Sequence, residues 1–104
     1  MRYKLVFTVP IADAERVRMA IGEVGAGKSA KYSFASFSVR GIGRFRPEEG
    51  ATPTIGEVGK MEEVDEERVE CQVDEQYLPA VLAALRAAHP YEEMVYDVYP
   101  LTDV

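Results

Sequence analysis

Tyr3, Leu5, Phe7 and Val9 alternate with Lys4 and Thr8, the period of a half-buried strand, and Pro10 closes it. The period then lengthens. Ala14, Val17, Ala20, Ile21 and Val24 recur three and four residues apart, with Glu15, Arg16, Arg18 and Glu23 opposite, which predicts an amphipathic helix over residues 12–24. Gly25 stands where such a helix is capped at its C-terminus. Residues 32–40, YSFASFSVR, alternate again but change phase between Phe34 and Phe37, as a strand with a bulge or bend would. Residues 41–56, with Gly41, Gly43, Gly50 and Gly56 beside Pro47 and Pro53, read as a long loop.

Two further runs, 58–64 and 67–73, read as the arms of a hairpin around the acidic stretch Glu62, Glu63, Asp65, Glu66 and Glu67, a solvated tip. In the second arm Val69, Cys71 and Val73 share one face, and Arg68, Glu70 and Gln72 the other. Asp74 offers an N-cap to a second helix, whose buried stripe is Leu78, Val81, Leu82 and Leu85. Pro79 is tolerable only in its first turn, and Pro90 ends it. Residues 94–101, MVYDVYPL, form a last strand that is apolar on both faces. The order is βαββαβ with extra hairpin material, an α+β, ferredoxin-like sandwich with two helices on one face of an antiparallel sheet. An apolar sheet face left open on so small a domain implies cover by another subunit.

Length and charge narrow the function classes. At 104 residues the chain is one domain, residues 1–104, with a single core. A net charge of −6 opposes a phosphate backbone, so nucleic acid is not expected as a partner. Cys71 is the only cysteine, on the apolar face of its strand, and reads as buried rather than nucleophilic. No signal-peptide pattern and no apolar run of membrane-spanning length is present, so no membrane is expected and the location expected is cytoplasmic.

Three stretches carry candidate chemistry. GEVGAGKS, residues 22–29, matches the phosphate-loop pattern, but such a loop must lead from a strand into a helix, and here it leads from a helix into a strand. It therefore reads as a helix stop and a turn, and no nucleotide hydrolysis is expected. HPYEE, residues 89–93, sets the only histidine beside Glu92 and Glu93. Histidine with acids can bind a divalent metal or act as a general base, whereas the structural reading places His89 at a helix end with Tyr91 packing. GIGRFRP, residues 41–47, sets Arg44 and Arg46 around Phe45, a pair that can clamp an anion or simply anchor the loop. Arg44, Phe45, Arg46, His89, Tyr91 and Glu92 are the candidate ligand-binding residues; no catalytic residue, metal ligand or cofactor is assigned.

GAG (25–27), Tyr32, GIGRFRP (41–47), the P-x-I-G-x-V-G of 53–59, EEV (62–64), ERVE (67–70) and HPYEEMVYDVYPL (89–101) together resemble the inserted middle domain of the Nif-three (NGG-interacting factor three) family, the YqfO-like proteins. HPYEE leading into a final strand is also similar to the matching corner of CutA, the divalent-cation tolerance protein, and both resemble the PII-like architecture. The resemblance implies a CutA-like fold and a homo-oligomer assembled through the sheet, with a trimer favoured. It implies no metal ligand here, because the family's metal-binding residues lie in flanking lobes. The expectation is a stand-alone, non-catalytic oligomerising or regulatory domain; the alternative is a sensor of a small molecule or divalent metal, with its site between subunits.

Overall fold

In a computed structural model of residues 1–104, the chain forms β1 (Arg2–Pro10), α1 (Ile11–Glu23), β2 (Phe37–Phe45), β3 (Glu62–Asp74), α2 (Leu78–Ala88) and β4 (Tyr96–Pro100). A short 3-10 turn, Glu75–Tyr77, joins β3 to α2. The four strands pair antiparallel in the order β2-β3-β1-β4. This is the βαββαβ ferredoxin-like plan, an α+β fold.

The register explains where the core lies. Leu5 stands opposite both Cys71 and Val98, and Phe7 opposite both Val69 and Tyr96, so apolar side chains of three strands share one face. Ala14, Val17 and Ile21 of α1 and Val81 and Leu85 of α2 close over that face. Burying each such Leu, Val or Phe side chain contributes about 1.5–3 kcal/mol. Because β1 is flanked on both sides, its Leu5, Phe7 and Val9 are among the most completely buried residues. Pro79 falls in the first turn of α2, where no hydrogen bond is lost.

Four expectations are corrected by this architecture. The second strand is Phe37–Phe45 rather than 32–40, so GIGRF belongs to the sheet and the long loop spans 46–61. Residues before it cannot extend the strand because Phe34 adopts a left-handed backbone, φ 61°. No second hairpin exists: 62–74 is one continuous 13-residue strand, and the acidic run lies inside it, paired to β2 throughout and to β1 from Glu66 onward. Glu66 and Glu67 are buried, so the run is not a solvated tip. Asp74 precedes the 3-10 turn without a side-chain capping bond. Finally, the uncovered sheet face is mixed rather than apolar, with Phe37, Val39 and Tyr99 exposed among Lys4, Arg68, Glu70 and Gln72.

Candidate functional site

The corner after α2 is assembled by backbone chemistry. His89 leaves the helical region at φ −70°, ψ 135°, the extended conformation demanded of a residue before proline, while its N–H still donates to Leu85 O at 2.9 Å. The ring is thereby delivered to the end of β1. Nε2–H donates to the carbonyl of Thr8 at 2.8 Å, and Nδ1 accepts the N–H of Tyr91 at 3.1 Å. A carbonyl can only accept and a backbone N–H can only donate, so the proton sits on Nε2 and both ring nitrogens are occupied. The buried imidazole serves as a link between β1 and the corner.

Tyr91 follows, its ring 5.2 Å from that of His89 and edge-on to Phe45 at 5.9 Å. Its hydroxyl is buried and has no hydrogen-bond partner. Burial first, then the facing carboxylate of Glu66, with smaller contributions from Asp13 and Glu62, push the phenol's pKa far above its ordinary value. Glu66 reaches this position because Gly43 lies beneath it: a Cβ on Gly43 would sit 1.7 Å from Glu66 Oε1. Glu92 accepts the N–H of Thr52 at 2.9 Å, and Thr54 donates its hydroxyl to Pro90 O at 2.7 Å, so the 46–61 loop is tied to the corner.

Of the six candidate residues the fold unites Phe45, His89 and Tyr91, with Glu92 beside them holding the loop. Arg44 and Arg46 do not join them. Arg44 is exposed and pairs with Glu63 at 3.3 Å, and Arg46 pairs with Glu48 at 2.8 Å. Sequence reasoning did not single out Glu66 or Gly43. Parity gave no signal for Glu66, since it shares its strand face with Arg68, Glu70 and Gln72, the polar side of β3.

The GEVGAGKS turn is closed to phosphate. Gly25 and Ala26 donate to the carbonyls of Gly22 and Ile21 at 3.2 and 3.0 Å, the double bond of a Schellman helix stop. Gly27 donates to Gln72 O at 2.8 Å, Lys28 to Gly25 O at 3.4 Å and Ser29 to Tyr32 O at 2.8 Å. Every N–H that a phosphate cradle would need points inward. Cys71 is buried, and burial pushes its thiol up to about 11, away from nucleophilic use. No three His, Cys, Asp or Glu side chains are gathered to hold a metal ion, and no helix is long and apolar enough to cross a membrane.

No family model matches the chain. Among curated relatives, a protein named GTP cyclohydrolase 1 type 2 homolog from Halalkalibacterium halodurans is 46% identical over 101 residues, 97% of this chain but 27% of that protein. The solved structure of a Bacillus cereus protein related to NIF3 superposes with a TM-score of 0.84 at 42% identity, covering 98% of this chain and 26% of that one. The divalent cation tolerance protein CutA1 of Thermus thermophilus superposes with a TM-score of 0.71 at 18% identity, covering 100% of this chain and 87% of its own, a likeness of fold. The chain is thus homologous over nearly its whole length to Nif-three proteins, spans about a quarter of the length of the relatives it matches, and has a CutA-like fold.

Proposed function

We propose that this chain is a non-catalytic, CutA-like oligomerising or regulatory domain of the cytoplasm, assembling as a trimer through its sheet. The observation that carries this reading is the state of the sheet: β2 and β4 are unpaired edges, and Phe37, Val39 and Tyr99 stand exposed on the face the helices leave open. One copy's β2 can meet the next copy's β4, a head-to-tail contact of the kind that closes into a ring. The inward-turned N–H groups of residues 25–29, the doubly bonded His89 and the protonated Cys71 support the absence of catalysis.

A second reading keeps the alternative of a small-ligand or divalent-metal sensor with its site between subunits. The unpartnered hydroxyl of Tyr91 facing Glu66 favours it, since a neighbouring copy could complete a polar site there. Light scattering on the purified protein tests the assembly, with a mass near three times the 11.6 kDa chain expected at micromolar concentration. The double variant Val39→Lys, Tyr99→Lys should shift it toward monomer, and a wild-type monomer would sink the proposal. Calorimetric titration of the assembled protein with divalent metals and small anions separates the two readings. Flat traces with divalent metals belong to the first, and saturation lost on Tyr91→Phe belongs to the second.

A further inference from the structure

At the far end of β2 from the corner, a cleft of about 520 Å³ opens beside the GEVGAGKS turn, with Lys4, Lys28, Ser29, Tyr32, Ser36 and Phe37 in its lining. We infer that this cleft binds a small flat anion, an aromatic ring carrying a carboxylate or a phosphate. The inference uses none of the corner residues, and it shares one residue, Phe37, with the sheet face proposed above for assembly.

Its wall is built in advance. Ala35 donates to Gly27 O at 3.2 Å and packs so closely that a Cβ on Gly27 would lie 2.2 Å from Ala35 O. Phe34 lays its ring over Gly22, where a Cβ would be 2.1 Å away, and holds a left-handed backbone to do so. Residues 27–37 are therefore pinned at both ends, which lowers the ordering cost of binding. The volume lies within the 300–1,000 Å³ or so of small-molecule sites.

The rim is aromatic. Tyr32 and Phe37 remain 76% and 65% exposed, although rings of this size are favoured in contact with other apolar surface. A flat ring placed between or against them would remove that surface from water. The polar groups left unengaged are donors. Glu70, the one carboxylate of the lining, is taken by Lys4 at 3.3 Å and by Arg68 at 3.5 Å, and Lys4, then Arg68, hold its carboxyl below the usual range. Lys28 has no carboxylate partner; its ammonium lies 5.3 Å from the Tyr77 ring, still exposed to the cleft. The hydroxyl of Ser36 is likewise uncommitted. On a chain of net charge −6, this is a place where the free charge is positive. A ligand that stacks on rings and accepts from an ammonium is an aromatic anion.

The test is titration of the 104-residue chain, by calorimetry and by amide chemical shifts, with adenosine monophosphate, 4-hydroxybenzoate and inorganic phosphate. At least one ring-bearing anion should saturate with a dissociation constant below about 1 mM, and phosphate alone should bind at least roughly tenfold more weakly. The shifts should fall on residues 27–37. Lys28→Ala and Tyr32→Ala, both at exposed positions, should each weaken binding by about fivefold or more, while Arg44→Ala should not. Saturation by the nucleotide alone assigns a phosphate, and by the benzoate alone a carboxylate. Saturation by neither ring, binding unchanged in Lys28→Ala, or shifts confined to residues 89–93 would overturn the inference.

Discussion

Tyr91 carries a buried hydroxyl with no well-formed hydrogen bond, although the Glu66 carboxylate faces it closely enough to raise its pKa. A buried donor without an acceptor costs about 1–3 kcal/mol, so its removal should help. Tyr91→Phe keeps the edge contact with Phe45 and the tilted ring contact with His89, and deletes only the oxygen. The expected outcome in thermal denaturation is an unchanged or higher Tm, by about 4–8 °C for each kcal/mol gained in a domain of this size. A fall of several degrees would instead show the hydroxyl donating to Glu66. His89→Ala makes the opposite case, because it strips bonds from Thr8 O and Tyr91 N–H together. These residue-scale relations were only half legible beforehand. HPYEE announced a corner with a packing tyrosine, but nothing in its spacing could say that Glu66, twenty-five residues earlier, would face that ring, since only tertiary packing brings them together.

Elements were legible where one periodicity ran unbroken. β1 and α1 appeared within a residue or so of their bounds because a single core face repeats along each, and α2 was expected about three residues too early, where the 3-10 turn stands instead. β3 was misread because five acids in six residues have the composition of a turn, while the strand they belong to is set by neighbours. Glu67 faces the helices and is held by Arg18 of α1, and Glu66 faces Tyr91, so both partners come from distant sequence. β2 was misplaced for a related reason: aromatic residues at 32–37 supply strand propensity, yet Phe34 takes a left-handed backbone that no strand admits. The turn at 22–29 was read correctly, and it yields an element-scale prediction. Gly25 holds φ at 117°, and a Cβ there would meet Tyr77 at 2.5 Å, so Gly25→Ala should destabilise by about 1–3 kcal/mol. Lys28→Ala, on an exposed side chain, should stay within about 0.5 kcal/mol. Urea denaturation of both variants checks the contrast, and equal effects would mean that the glycine is not the helix stop.

At the scale of the whole molecule the charge is unevenly spread over a body of 46 × 25 × 23 Å. Residues 44–66 hold seven carboxylates against Arg44, Arg46 and Lys60, and the corner adds Glu92 and Glu93, which the loop ties through Thr52 and Thr54. The acids are thus drawn together at one end by folding. The pairs that oppose this repulsion there, Arg44–Glu63, Arg46–Glu48 and Lys60–Glu57, are exposed and contribute little. Two consequences follow for assembly and for stability. Copies that met through their acidic ends would repel, so the sheet edges away from that end are the better meeting place. Salt should stabilise the fold, because screening relieves a repulsion that the extended chain largely escapes. Raising sodium chloride from about 10 mM to about 0.5 M shortens the Debye length from roughly 30 Å to about 4 Å, and Tm should rise by a few degrees. The same rise should shrink in a Glu49→Lys variant, whose acidic end carries less net charge. A Tm that falls with salt would show that attractive pairs such as Arg18–Glu67 and Lys4–Glu70 outweigh the clustered acids, and the acidic end would then give no reason to direct assembly to the sheet.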